Sequence, residues 1–101
     1  MRLHSPSMSE LHAFATAARL GSFSRAAAEL CVTQSAVSRA VARLEQHYGL
    51  ALIKRNAHSL HLTPVGRELL DAVREPLAAI EETSARLRLG AADRPLNLAV
   101  V

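Results

Sequence analysis

Small and hydrogen-bonding side chains recur at helical spacing between residues 34 and 46. At 100° per residue, one side of this segment is the predicted core face, which consists of Val37, Val41, Leu44 and Tyr48. The opposite side is free of acidic residues and consists of Ser35, Ser38, Arg39, Ala42, Arg43 and Gln46. Small residues let a helix approach base edges, and Gln and Arg can bond bidentately to adenine and guanine. This face is suited to reading double-stranded DNA, and a solvated helix face is the plainer alternative.

A second polar cluster opens the preceding predicted helix. Ser22 is its predicted N-cap, and Ser24 and Arg25 lie in its first turn. A cation is unfavourable at this end of the helix dipole, where glutamate would complete a capping box. A docked phosphate would reverse that penalty, because free N–H groups and the three side chains would converge on it. The alternative is that Arg25 simply extends into water.

A predicted β-hairpin carries further basic and polar residues. Two short apolar or alternating runs, Leu50–Lys54 and Ser59–Leu62, predict its strands. The residues at its turn are Lys54, Arg55, Asn56 and His58. A basic turn beside a DNA-reading helix is suited to phosphate contacts or to a reach into the minor groove. A solvated loop is the alternative.

Capping residues mark the helices that would position these side chains. Ser7 followed by Glu10 predicts a capping box, and Thr33 is the predicted N-cap of a helix that begins at Gln34. The predicted buried face of the second helix is Phe23, Ala26, Ala27 and Leu30. Cys31 follows that helix and is expected to be a buried small side chain. Two helices with a three-residue connection, the second longer and more polar, predict a helix-turn-helix.

A fourth predicted helix begins after Thr63, with Pro64 at its first position, and is expected to end at Gly90. Its apolar stripe alternates spacings of three and four, which is typical of a coiled-coil seam. The seam consists of Leu70, Val73, Leu77, Ile80, Ser84 and Leu87. It predicts pairing with a second copy, and packing on its own domain is the alternative. Pro76 predicts a kink or break near residues 72–75.

The distribution of charge agrees with a polyanionic partner. Residues 1–62 carry seven Arg and Lys against three Glu, a net charge of +4, whereas residues 63–101 carry five Arg against six acidic residues, a net charge of −1. Charged residues interrupt every apolar run before the roughly 18–20 residues of a membrane span, so no membrane association is expected. A single cysteine and no apolar leader favour the cytoplasm.

No arrangement of residues typical of catalysis or metal binding stands out. The five histidines do not combine with the cysteine or the acidic residues at metal-ligand spacing. Paired carboxylates, a glycine-rich phosphate loop and a Ser–His–Asp set are not evident either. We therefore expect no metal, no cofactor and no enzymatic activity.

The run GSFSRAAAELCVTQSAVSRAVARLEQHYGLALIKRNAHSLHLTPVGREL resembles the DNA-binding domain of LysR-type transcriptional regulators. The resemblance extends on both sides of this run, from Met8 to about Leu89. The motifs that carry the resemblance are SFSRAA, TQSAVSR, the Leu44–Glu45 pair and LTPVGREL. The resemblance implies a bacterial cytoplasmic regulator, associated with the nucleoid when bound. It also implies that the linker helices of two subunits pair antiparallel and set two recognition helices on successive major grooves.

By position, the resemblance assigns base contacts to Gln34, Ser35, Ser38 and Arg39. It places Thr33 and Arg25 near phosphates, and Arg55 and His58 in the wing. Ser22, Ser24, Arg43, Lys54 and Asn56 complete the predicted contacts to phosphates and through the wing. The sequence departs from the family at Ser35, where proline is usual, and at Ile53, where phenylalanine is usual.

The predicted fold is mainly α, a winged helix-turn-helix with a small two-stranded wing and a long C-terminal linker helix. Residues 1–62 form the DNA-binding domain and 63–90 the linker and dimerisation helix. Residues 91–101 are expected to begin a truncated effector-binding domain, through which alone a small-molecule effector would act. Their sequence suggests the branch that includes glycine-cleavage regulators.

The expected partners are double-stranded DNA and a second copy of the chain, with higher oligomers open for the full-length protein. The dimer would form through Leu70, Val73, Leu77, Ile80 and Leu87. Two alternatives remain at this stage: an oligomerisation module, and an architectural DNA binder with little sequence preference.

Overall fold

The computed structural model describes residues 6–56 and 59–92, and this part of the chain forms a mainly helical winged helix-turn-helix. Its elements in chain order are α1 (Met8–Leu20), α2 (Phe23–Leu30), α3 (Gln34–Tyr48), β1 (Ile53–Arg55), β2 (Leu60–Leu62) and α4 (Pro64–Ala92). The two strands pair antiparallel, with Ile53 opposite Leu62. The predicted fold class is therefore confirmed, with strands shorter than the sequence runs suggest.

The predicted caps begin the first three helices. Ser7 Oγ accepts a hydrogen bond from Glu10 N at 3.1 Å, and the Glu10 carboxylate accepts one from Ser7 N at 3.4 Å, which completes the capping box. Ser22 and Thr33 each accept from the backbone N–H three residues on, also at 3.1 Å. Because each cap satisfies a backbone donor that would otherwise lack a partner, it fixes where its helix starts.

Two groups of buried side chains hold the helices and the wing together. The larger side chains join α1, α3, the wing and α4, and they are Phe14, Val41, Leu44, Leu52, Ile53 and Leu70. The smaller ones join α1, α2 and α3, and they are Ala13, Ala17, Ala26, Ala27 and Val37. Alanine at this crossing lets the helices approach closely. α3 is therefore anchored along its whole buried face.

The junction between the wing and α4 is tightly packed. Thr63 is buried, and its hydroxyl donates to Ala51 O at 2.7 Å and accepts from Gly66 N at 3.0 Å. The Thr63 N–H donates to Leu52 O at 3.0 Å. Gly66 lies so close to Leu52 that a Cβ atom there would clash with the Leu52 carbonyl group. The start of α4 is thus fixed to the two residues immediately before β1.

Two predictions about single residues are wrong. Cys31 is exposed, because it is the C-cap of α2 in the left-handed conformation (φ 58°), where the chain turns at the surface towards α3. Tyr48 is 39% exposed at the last position of α3, and its ring meets the neighbouring His47 ring edge-on, with centroids 4.9 Å apart. The buried face of α3 therefore consists of Val37, Val41 and Leu44.

The course of α4 also differs from prediction. A kink or break was predicted near residues 72–75, but α4 is one continuous helix through Pro76, so the predicted break is wrong. The helix also continues through Gly90 to Ala92, because glycine is tolerated inside a helix at a cost of about 1 kcal/mol. Of the predicted effector-domain segment, residues 91–101, the first two belong to α4, and the part from residue 93 onwards lies outside the described residues.

Candidate nucleic-acid interface

The helix-turn-helix is formed by α2 and α3, with a sharp turn between them. Cys31 N donates to the carbonyls of Ala27 and Ala28, and Val32 N donates to Ala27 O at 3.0 Å, so the turn closes the end of α2. Thr33 then caps α3 within two residues. The connection is therefore short, and it sets the direction in which α3 leaves the turn.

The first two turns of α3 present the predicted base-contacting residues at the surface. Gln34, Ser35 and Arg39 are exposed, and Ser38 is half-buried. Val37 and Val41 hold the opposite side of the same turns in the core. No acidic residue occurs in the first turn of α3. This end of the helix thus offers small hydrogen-bonding groups and one guanidinium to an approaching surface.

The amino terminus of α2 brings the predicted phosphate contacts together. Ser22 Oγ accepts from Arg25 N at 3.1 Å and lies 3.2 Å from Ser24 Oγ. Both Ser24 and Arg25 are exposed. Two hydroxyl groups, the backbone N–H groups of the first turn and a guanidinium therefore occur within one helical turn. Such a combination of donors and positive charge favours the binding of an anion.

The described part of the wing lies beside α3. The Asn56 N–H donates to Ser59 O at 2.9 Å and closes the hairpin, and Lys54 and Asn56 are exposed. Arg55 Nη2 donates to Ser38 Oγ at 3.0 Å. His58 was predicted to belong to the wing contacts, and it lies outside the described residues.

Two further residues, which were not predicted to take part in this interface, hold its elements together. Glu45 accepts hydrogen bonds from Leu52 N at 2.8 Å and Ile53 N at 3.2 Å, so its carboxylate ties the end of α3 to the start of the wing. The sequence feature that could have indicated this role is a carboxylate in the last turn of a helix. The helix dipole disfavours negative charge there, so such a carboxylate needs a specific partner. The second residue is Phe23, whose ring lies 4.5 Å from the Arg55 guanidinium carbon.

The three acidic residues of the first sixty positions each have a partner within the chain. Glu10 completes its capping box, Glu29 forms an ion pair with Arg19, and Glu45 binds the backbone of the wing. Among the described residues, no carboxylate lies within ion-pair distance of Arg25, Arg39, Arg43 or Lys54. The basic side chains near α3 therefore retain uncompensated charge.

The structure divides the predicted seam of α4 into two parts. Leu70 and Leu77 are each only 6% exposed, and Leu70 belongs to the core of its own chain. Val73 is half-buried, whereas Ile80 is 46% and Leu87 is 60% exposed. The alternative to pairing with a second copy was packing of the seam on its own domain. This alternative holds for the first part of the seam, which contains Leu70 and Leu77. The second part leaves an apolar stripe at the surface.

Residues 6–56 and 59–92 contain neither a candidate metal cluster nor a candidate membrane-spanning helix. Within these ranges, no group of three or more His, Cys, Asp and Glu side chains could hold a metal ion. None of the described helices combines the length and the apolar character needed to cross a membrane.

Comparison with known proteins agrees with this arrangement. Residues 8–67 match the profile of the "Bacterial regulatory helix-turn-helix protein, lysR family". The chain is 40% identical over 95 residues to the "Glycine cleavage system transcriptional activator homolog" of Haemophilus influenzae, covering 94% of this chain and 32% of that protein. It thus spans about a third of the length of this curated relative.

Solved structures share the fold. The Corynebacterium glutamicum OxyR C206 mutant superposes with a TM-score of 0.78 and 31% identity, covering 89% of this chain and 29% of that one. The CbnR DBD–DNA complex superposes with a TM-score of 0.70 and 28% identity, covering 84% of this chain and 98% of that one. Since the family profile extends through the helix-turn-helix and the wing into α4, this chain belongs to the lysR family of bacterial regulatory helix-turn-helix proteins.

Proposed function

We propose that this chain is the sequence-specific, dimeric double-stranded DNA-binding module of a LysR-type transcriptional regulator. The observation that carries the proposal is the exposed amino-terminal half of α3, where Gln34, Ser35, Ser38 and Arg39 are held outward by a buried opposite face. Such a helix end fits the major groove, where small and bidentate side chains reach base edges. The CbnR DBD–DNA complex, whose protein covers 84% of this chain, supports the same partner.

Phosphate contacts are proposed on both sides of that helix. The cluster of Ser22, Ser24 and Arg25 would take one phosphate at the amino terminus of α2, and the Thr33 hydroxyl can donate while it caps α3. Arg43 would contact the backbone further along α3. Lys54, Asn56 and the hairpin turn with His58 would approach the adjacent minor groove.

The exposed stripe on α4 supports a homodimer. Two copies that pair through Val73, Ile80 and Leu87 would cover apolar side chains that one chain leaves in water. A pair of recognition helices would then meet two half-sites on successive turns of DNA, about 34 Å apart. Leu70 and Leu77, also predicted for this surface, would support it from inside the fold.

The wider role of the protein follows from its family. We propose a bacterial regulator that acts in the cytoplasm on the nucleoid, through binding rather than through catalysis. A small-molecule effector would act through the domain that residues 91–101 are expected to begin. Higher oligomers would likewise depend on that domain.

Binding to duplex DNA tests the proposal against its two alternatives. Duplexes selected from a random library are titrated at several salt concentrations, next to scrambled duplexes of the same composition. We expect tighter binding to the selected, two-fold symmetric sequence than to scrambled DNA. The logarithm of the affinity should fall linearly with the logarithm of the salt concentration. Equal affinity for scrambled DNA would indicate an architectural binder. Absence of DNA binding, with dimers still formed, would leave only an oligomerisation module.

A further inference from the structure

Arg55 connects three elements of the interface. It ends β1, its Nη2 atom donates to Ser38 Oγ at 3.0 Å, and its guanidinium carbon lies 4.5 Å from the centre of the Phe23 ring. The hydrogen bond reaches α3, and the cation–π contact reaches the first residue of α2. A planar guanidinium suits this geometry, because it can stack on a ring and donate at its edge simultaneously.

This contact determines what the Ser38 hydroxyl group can do. A serine hydroxyl has one proton and two lone pairs, and it normally rotates to suit its surroundings. Arg55 occupies one lone pair. Within the described ranges, Ser38 Oγ makes no other hydrogen bond, so its proton remains free for a ligand. Accepting a bond from a cation also polarises the O–H group and strengthens it as a donor.

We propose, on the basis of the function proposed above, that Arg55 is a positioning residue that holds Ser38 as a hydrogen-bond donor. The base opposite Ser38 must then present an acceptor in the major groove. Purine N7, guanine O6 and thymine O4 meet that requirement, and the cytosine N4 amino group does not. Arg55 thereby determines specificity through Ser38, and its own charge lies over Phe23.

A direct phosphate contact by Arg55 predicts different behaviour. Lysine carries the same charge and binds phosphate well, so Arg55→Lys would then leave the sequence profile unchanged. In the positioning role, lysine cannot both stack flat on Phe23 and donate sideways to Ser38. Arg55→Lys should therefore change the sequence profile. Phe23→Leu should change it as well, because it removes the ring beneath the guanidinium without changing any charge.

The test compares selected-sequence profiles and affinities for wild type, Ser38→Ala, Arg55→Lys, Phe23→Leu and the Ser38→Ala/Arg55→Lys double variant. Arg86→Lys on α4 is the matched control for an Arg-to-Lys change away from the interface. The position at which Ser38→Ala loses preference identifies the base opposite Ser38. There, Arg55→Lys and Phe23→Leu should each lower discrimination against cytosine about fivefold, as Ser38→Ala does. The double variant should match Ser38→Ala alone.

Each outcome bears on the proposal. The expected fivefold losses, absent in Arg86→Lys, support it, and an unchanged profile in Arg55→Lys overturns it. Because Phe23 also packs in the core, a poorly folded Phe23→Leu variant leaves the decision to Arg55→Lys, whose side chain is exposed. A further check is the salt dependence of DNA binding by Arg55→Ala. The slope of log affinity against log salt concentration should stay as in wild type, and a slope shallower by about one unit would mean that Arg55 contacts a phosphate. Wild-type protein without any sequence preference would overturn the function proposed above together with this inference.

Discussion

The exposed guanidinium of Arg39 lies on the second turn of α3, with no acidic partner among the described residues. If it reads a guanine bidentately, Arg39→Ala should weaken binding to the selected duplex by about 1–3 kcal/mol and relax the preference at one base position. Titration of single-base variants of the duplex measures both effects. Arg88→Ala near the end of α4 serves as the control for loss of one positive charge. An unchanged base profile would show that Arg39 does not read sequence.

Cys31 adopts a left-handed backbone conformation that glycine adopts without steric cost. Cys31→Gly should therefore stabilise the fold by about 0.5–1 kcal/mol, measured by denaturant unfolding. The matched change in the opposite direction is Gly21→Ala, since Gly21 has a φ of 66° and open space around it. It should destabilise the fold by about 1 kcal/mol. Destabilisation by Cys31→Gly would mean that the cysteine side chain makes a contact worth more than the backbone strain.

At the scale of elements, the amino terminus of α2 brings together hydroxyl groups, backbone N–H groups and the Arg25 guanidinium, for which we propose a phosphate contact. Arg25→Ala should weaken binding to selected and scrambled duplexes by similar factors, because phosphates carry no sequence information. The slope of log affinity against log salt should become shallower by about one unit. A loss confined to the selected duplex would place Arg25 on a base instead.

The junction of β1 with α4 tolerates no side chain at Gly66, because the Leu52 carbonyl group occupies the place of a Cβ atom. Gly66→Ala should cost about 3 kcal/mol or more of unfolding free energy, since backbone must move on both sides. Thermal and denaturant unfolding measure it. Gly90→Ala, in the last part of α4, is the control and should be neutral or slightly stabilising. Wild-type stability in Gly66→Ala would mean that the wing moves aside at little cost.

Local signals explain why the elements could be predicted from sequence. Capping residues act on the N–H groups of the same turn, so Ser7, Ser22 and Thr33 mark helix starts without knowledge of the rest of the fold. Helical periodicity likewise identifies the buried residues Val37 and Val41, which face the core at regular spacing.

The residues that were predicted wrongly depend on tertiary surroundings. Periodicity places Tyr48 with the core residues, but it is 39% exposed and belongs to neither cluster of buried side chains. Pro76 and Gly90 are compatible with either a helix or its end, and the structure has helix at both. The contact of Arg55 with Ser38 joins residues seventeen positions apart on different elements, and no spacing rule indicates it.

At the scale of the whole molecule, α4 has a buried part and an exposed part: Leu70 and Leu77 complete the core of one chain, whereas Ile80 and Leu87 are exposed and belong to the proposed dimer surface. Replacing both Ile80 and Leu87 by Glu should give folded monomers, measured by sedimentation. DNA binding should fall while the unfolding free energy of the single chain changes little. Leu89→Glu is the control, because Leu89 is 73% exposed and lies about 200° from Leu87 around the helix. Dimers that persist in the double variant would indicate another interface.

The unbroken course of α4 past Pro76 also bears on geometry along DNA. Residues 78–92 extend beyond the buried Leu77, and at 1.5 Å per residue they form an arm about 22 Å long. A tilt of about 10° at the base of this lever moves its tip by about 4 Å, close to the ~3.4 Å rise of one base pair. In a dimer paired through such arms, tight packing of Leu70 and Leu77 would limit how far each arm can tilt. That limit would set the range of half-site separations that two chains can span.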